Sequence, residues 1–397
     1  MPGRPESGKI QVAHLVTDLA RGGAEVFLQR LVTAQQDDIR HRVISLTSEA
    51  ELGPEIRAAG VEVTSLRLMG ARGAPFALMR LLRVLREDTP DVLMTWLYHA
   101  DFLGTLAALL GPPTKLVWNI RCADMDLSKY GYVSRMLPHV LARLSRLPAV
   151  AVANSQAGRQ IHEGYGYGPR RWEILPNGFD TQAFRPDSER RRKSRAALVI
   201  DQAAPVVGLF ARFDPMKDHA TFLAAAEIVA KTRPDVLFLL AGRGTDSAAF
   251  QELIGDSHAL RQRLILLGER RDIADLLAAT DIAVCSSLTE GFPNTVGEAM
   301  SCAVPCVSTD VGDAAVLIGD TGGLVPKADP PALAHKLEEF LDIAPEARAA
   351  LGARARQRIE TQFSLQAVVA RYGELFAELT APHSLSVNPN RDGKRLG

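Results

Sequence analysis

The stretch SSLTEGFPNTVGEAMSCAVPCV, Ser286 to Val307, decides the fold. It starts in an apolar run, DIAVCSS (281–287), and passes through Glu290 and the turn Gly-Phe-Pro-Asn. A helical pattern, TVGEAMS, and a second apolar run, VPCVST (304–309), follow. Strand, turn, helix and strand in so short a span describe a unit of a parallel sheet. Open sheets of this kind bind ligands beyond the carboxyl ends of their strands, where Glu290 falls. Pro293 suits the first position of a helix, because its missing N–H would go unpaired there anyway. The leading N–H groups then point into the cleft, where an anion, above all a phosphate, is the natural occupant.

Glu290 lies ahead of those donors and Glu298 about one turn behind. Carboxylates aimed at a phosphate would repel it, so each is expected to accept hydrogen bonds from neutral hydroxyls on either side. A ligand with hydroxyl, phosphate and hydroxyl in order is a nucleotide sugar.

The same alternation extends through the chain. Short apolar runs at 10–17, 41–47, 61–66, 91–96, 115–120 and 149–154 are separated by stretches of helical spacing such as AEVFLQRLVTAQ and FALMRLLRVLRE. The pattern restarts after Pro205, with runs at 205–211, 235–242, 263–268, 281–287 and 304–309. These are near-continuously apolar, as strands covered on both faces are. The expected architecture is α/β, with two Rossmann-like doubly wound domains facing across a cleft. Their seam is expected in LPNGFDTQAFRPDSERRRKSR, where Pro, Gly, Asn and charge break the periodicity. The boundaries read as 1–178 and 179–364, with an amphipathic helix at 365–380 and a polar, disordered tail at 381–397. The basic run Arg190 to Arg195 reads as a solvated helix face.

Length and composition agree. The 397 residues exceed one ordinary core. Lys plus Arg and Asp plus Glu both number 46, a balance without the basic excess of a nucleic-acid binder. The four cysteines, Cys122, Cys285, Cys302 and Cys306, lack zinc-site spacing and read as small buried residues. MPGRPESGK has no apolar segment of a secretory signal, and no apolar stretch is long enough to span a bilayer. A cytoplasmic protein is the expectation.

Two further anion grips stand in the sequence. Arg212 and Lys217 follow the first strand of the second domain across an FDP turn, a planar fork and a mobile charge suited to a diphosphate. In DLARGGAE (18–25), Gly22 and Gly23 sit between the first strand and first helix and allow close backbone approach. Neither this segment nor AGRGTD (241–246) completes GxGxxG, so a dinucleotide-dependent dehydrogenase has little support.

Glu290 and Glu298 within EGFPNTVGEAMSCAVPCVSTDVG resemble the motif of the retaining glycosyltransferases of family 4, which have the GT-B architecture. The likeness covers nearly the whole chain: GGAE, NSQAGR (154–159), LPNGFD (175–180), Arg212 with Lys217, LLGERRDIADLL (266–277) and the double-Glu block, in order. The resemblance implies that the 365–380 helix crosses back onto the first domain, that Glu290 binds donor sugar hydroxyls and that Glu298 binds the nucleotide ribose. Arg212 and Lys217 would hold the diphosphate, with the backbone of Gly291, Phe292, Pro293, Asn294 and Thr295 completing the cradle. Gly22 and Gly23 would approach the donor phosphate or the acceptor from across the cleft. His99, in WLYHADFLG, matches a histidine lining the sugar pocket, and Arg243, Glu269, Arg270 and Arg271 would lie near the base. UDP is the expected nucleotide and GDP-mannose the alternative, with a glycan, lipid-linked or small-molecule acceptor. No metal or other cofactor is expected.

Competing readings remain. Asp124 and Asp126 in ADMDL spell the metal-binding triplet of the other large glycosyltransferase architecture, but the two-domain pattern disagrees. A glycosidase carboxylate pair would flank a scissile bond, whereas these glutamates bracket a helix start. A nucleotide-sugar 2-epimerase shares the two-domain architecture, and a non-catalytic nucleotide-sugar sensor is the alternative from a different class, against which the full set of anion grips argues. Arg80, Arg83 and Arg86, and Arg135, Arg143 and Arg146, lie on apolar helical patterns that fit either buried surface helices or contact with an anionic membrane.

Overall fold

The computed structural model describes residues 8–34, 37–121 and 132–381. Cys122, the Asp124–Asp126 pair and the expected disordered tail from 382 onward lie outside the described residues.

Two parallel sheets form the framework. The first holds β1 (Ile10–Val16), β2 (Ile39–Ser45), β3 (Glu62–Ser65), β4 (Val92–Trp96), β5 (Lys115–Ile120), β6 (Val150–Ala153) and β7 (Trp172–Ile174). Their order is β3-β2-β1-β4-β5-β6-β7. The second holds β8 (Val206–Phe210), β9 (Leu237–Ala241), β10 (Leu264–Leu266), β11 (Ile282–Cys285), β12 (Cys306–Thr309) and β13 (Gly323–Val325), ordered β10-β9-β8-β11-β12-β13. Strand order reverses between β1 and β4 and again between β8 and β11, so each sheet has one switch point. β4, β6, β8 and β11 are buried at every position, which is why they read as unbroken apolar runs.

The core divides with the sheets. The last helix, Leu365–Thr380, inserts Val368, Val369, Tyr372, Leu375 and Phe376 among Val12, Phe27, Met94 and Trp96 of the first domain. The chain passes between domains at Phe179, whose N–H donates to Phe363 O (2.9 Å) and whose carbonyl accepts from Leu365 N–H (2.8 Å). The Phe179 ring packs in the second domain's core beside Phe292.

Three local expectations need correction. The basic run is not a uniformly solvated face. It lies on helix Ser188–Ala197, where Arg195 is wholly buried, bonded to Asp281 Oδ2 (2.7 Å) and to four backbone carbonyls. Pro293 is the N-cap, and the helix proper is Asn294–Ser301. The run at 304–309 pairs as a strand only from Cys306, because Val304 N–H closes the preceding helix on Ala299 O (3.0 Å) after left-handed Ala303 (φ 57°), and Pro305 has no N–H to give.

Candidate active site

The two switch points organise the site. From the first sheet, Gly22 and Gly23 follow β1, and His99 follows β4. From the second, Arg212 and Lys217 follow β8, and Glu290 follows β11. The last two loops are tied together, since Leu288 N–H donates to Met216 O and Ser286 Oγ to Lys217 O, both at 2.9 Å.

Local caps hold the cationic loop in shape. Asp214 accepts from Met216 N–H (2.9 Å), starting the tight turn Pro215–Lys217. Asp218, left-handed at φ 45°, then caps helix His219–Thr232 through Thr221. This presents Lys217 to Glu290, with Nζ to Oε1 at 2.5 Å. Ser287 Oγ donates to the same carboxylate oxygen at 2.7 Å. Both partners are mostly covered, the side chains being 23% and 14% exposed. Arg212 is more open, and its Nε engages Asp214 at 3.1 Å.

The Asn294–Ser301 helix begins immediately beyond Glu290 and Gly291. The Phe292 side chain lies in the core between Phe179 and Phe363, leaving the backbone of this turn as its contribution to a cleft. Asn294 faces the first domain: its Oδ1 accepts from Asn177 Nδ2 (2.5 Å), and a Cβ added to Gly23 would lie 3.6 Å from its Nδ2. Gly22 caps the helix Gly23–Thr33. Glu298 meets Arg30 of that helix at 3.7 Å. Burial pushes the Glu298 carboxyl up to about 7, against the opposing pull of Arg30.

The structure thus brings together Gly22, Gly23, Lys217, Glu290, Gly291, Pro293, Asn294, Thr295 and Glu298. His99 stands exposed in the first turn of helix Leu97–Leu110. Arg243 is exposed after β9, its carbonyl accepting from Phe213 N–H (2.8 Å). Glu269, Arg270 and Arg271 are exposed after β10, and Arg270 donates to Asp272 rather than standing open (2.7 Å). Among the described residues no group of three or more His, Cys, Asp or Glu is placed to hold a metal ion.

Several contributors escaped the sequence reading. Arg30, Asn177 and Ser287 touch the expected residues directly. Arg121, at the end of β5, is buried over the Phe27 ring (4.1 Å) and donates to Tyr372 Oη (3.0 Å), Leu175 O (3.2 Å) and Asn177 Oδ1. Asp313 accepts from the backbone of Gln156 and Ala157 in the opposite domain. Asn177 lies in LPNGFD, Ser287 in the opening stretch and the last two donors in NSQAGR, while nothing in the sequence marked Arg30, Arg121 or Asp313.

Comparison with known proteins follows the same division. Residues 21–183 match the family described as Glycosyltransferase Family 4, and residues 204–342 match Glycosyl transferases group 1. The chain belongs to glycosyltransferase family 4. Its GT-B fold matches that of Anabaena HepE in complex with UDP, with a TM-score of 0.80, 21% identity, and coverage of 93% of this chain and all of that one. The family 4 chain is 26% identical over 59% of its length to the Escherichia coli UDP-Gal:alpha-D-GlcNAc-diphosphoundecaprenol alpha-1,3-galactosyltransferase. It is 30% identical over 51% of its length to the Rhizobium meliloti lipopolysaccharide core biosynthesis mannosyltransferase LpsB. The matches span 62% and 60% of those two relatives.

Proposed function

We propose that this chain is a retaining, metal-independent glycosyltransferase that moves a hexosyl or N-acetylhexosaminyl group from a nucleotide-diphosphate sugar to an acceptor held by the first domain. The observation that carries the reading is the Lys217–Glu290 pair at the second sheet's switch point, next to the start of the Asn294–Ser301 helix. A diphosphate entering there meets the Lys217 ammonium, the Arg212 guanidinium and the helix's leading N–H groups. Glu290 then accepts from sugar hydroxyls and Glu298 from the ribose.

The chemistry needs no covalent protein intermediate. The bond from the anomeric carbon to the phosphate oxygen breaks as the acceptor oxygen bonds to the same face, and the acceptor proton passes to the departing diphosphate. Negative charge grows on that diphosphate, where preorganised cations and N–H dipoles stabilise it. A UDP-sugar is the favoured donor and GDP-mannose the second. HepE binding UDP and the E. coli relative's UDP-Gal donor support the first, and the LpsB mannosyltransferase leaves the second in play.

A lipid-linked or polysaccharide acceptor fits the same relatives, and a surface on the first domain fits an anionic membrane at the inner face of the cytoplasmic membrane. Phe76, Met79 and Arg83 stand exposed on one face of helix Ala74–Glu87, with Met136 and Val140 exposed on helix Tyr132–Leu144. Binding to anionic vesicles at low salt is expected, and its absence removes this part. Among the described residues no helix is long and apolar enough to cross a membrane.

The decisive experiment is a donor screen measuring UDP or GDP release from a panel of nucleotide sugars, with and without excess chelator. Acceptor-dependent release that survives chelation is expected. Epimerised donor in the absence of acceptor would point to a 2-epimerase, and tight donor binding without turnover to a sensor.

A further inference from the structure

Asp313 lies in the second domain, on the loop after β12, and is almost wholly buried. Its two carboxylate oxygens accept from the first domain: Oδ2 from Gln156 N–H (2.8 Å) and Oδ1 from Ala157 N–H (3.0 Å). Those two amides open helix Gln156–Gly164, whose own cap, Ser155, takes Gly158 N–H. The carboxylate therefore takes two amides that the helix leaves unpaired, at the positive end of its dipole. The other side of Asp313 faces the donor loop, where its N–H donates to Gly291 O (3.0 Å). Gly312 packs so closely there that an added Cβ would fall 2.3 Å from Glu290 O.

We propose that Asp313 is a positioning residue that fixes the Glu290–Gly291 loop against the first domain, and so sets donor against acceptor. The proposal rests on the donor role assigned to that loop. Arg30 and Asn177 reach the following helix, but Asp313 alone among these contacts grips both the loop backbone and a helix terminus across the cleft. Losing its carboxylate leaves the donor pocket of the second domain intact and frees the pocket's angle to the acceptor side.

The test uses Asp313→Ala, Asp313→Asn and Gln156→Pro. Gln156 is the first helical residue, where proline is accepted, and Ser155 before it is already extended (φ −157°, ψ 154°). Gln156→Pro thus keeps the helix, removes one donor and sets its ring Cδ against Asp313 Oδ2 in place of the amide hydrogen. Asp313→Ala is expected to hold UDP affinity, by calorimetry, within about twofold, while the acceptor-dependent kcat falls about tenfold or more, since an ångström of misplacement can cost a hundredfold. Asp313→Asn, which keeps one acceptor oxygen, should recover part of the loss. Gln156→Pro should lower kcat in the native background and not in Asp313→Ala. An unchanged kcat, a parallel fall in UDP affinity, or additive effects of the two substitutions would overturn the proposal. Should the native chain turn over no donor, the transferase reading fails, and solution scattering still tests the pin: a larger radius of gyration for Asp313→Ala supports it, and an identical profile overturns it.

Discussion

Lys217 Nζ lies 2.5 Å from Glu290 Oε1, although 73 positions separate the two residues. The contact joins the loops on either side of the second sheet's switch point, and it brings a cation expected on the diphosphate to a carboxylate expected on the sugar. Lys217→Ala should lower kcat by about a hundredfold or more, the usual cost of deleting a preorganised stabiliser of transition-state charge. The thermal midpoint should stay near the native value. Near-native turnover would remove Lys217 from the mechanism.

Glu298 supplies a pH signature. Burial raises its folded pKa to about 7, so its carboxylate forms only as pH rises through that value. Ribose hydroxyls donate to the ionised form, so affinity for an intact nucleotide sugar should tighten between pH 6 and 8. Glu298→Gln should flatten this dependence and weaken binding by about tenfold or more at pH 8, the scale of a hydrogen bond to a charged group. Titration calorimetry with a donor whose phosphates do not themselves titrate in this range checks it.

The His14–His41 pair predicts acid lability. Trp96 Nε1 donates to His14 Nδ1 (3.2 Å), so His14 Nε2 carries the proton and donates to His41 Nδ1 (2.9 Å). Burial lowers both pKa values, His41 to about 4. An unfolded histidine protonates near 6.5 while the folded pair resists, so stability is full above that pH and is lost as pH falls toward 4. His41 alone should cost about 2 kcal/mol by pH 5. Urea unfolding at pH 7.5 and 5 should show a smaller acid loss in His41→Gln; an equal loss would assign the lability elsewhere.

Gly312 and Gly60 separate local strain from site geometry. Both are left-handed, at φ 57° and 86°. A Cβ at Gly60 meets nothing within 4 Å, whereas one at Gly312 strikes the Glu290 and Gly291 carbonyls. Gly60→Ala should cost about 1–2 kcal/mol and leave turnover alone. Gly312→Ala should lower turnover as well, because the donor loop must move. Equal turnover in the two variants would show that the 312 contact does not shape the site.

Arg195 tests the second domain. It is fully buried and shares Asp281 with Arg191. Arg195→Met should destabilise by about 3 kcal/mol or more, because it strands a covered carboxylate and four backbone carbonyls. Denaturant unfolding reads this directly; a change under 1 kcal/mol would show that Arg191 and Val206 N–H suffice for Asp281.

The alternation of apolar runs with helical spacing was enough to read two doubly wound domains, because strands covered on both faces must be apolar throughout. The positions of Glu290, Lys217 and Gly22 were equally legible, because a loop after a parallel strand has one place to go, the carboxyl edge. The edge strands Trp172–Ile174 and Gly323–Val325 escaped, since RRWEILPN and TGGLVPK hold no apolar run as long as the one in RLILLG. So did the side-chain pairings across the cleft, although the return of the last helix to the first domain was expected. Arg30 with Glu298, Asn177 with Asn294 and Asp313 with Gln156 each join residues more than a hundred positions apart, and nothing local marks them. Burial of Arg195 within a run of charges escaped for the same reason. Local pattern settles which residues face a core or a cleft; which charge meets which is settled only when packing brings distant segments together and removes the water between them.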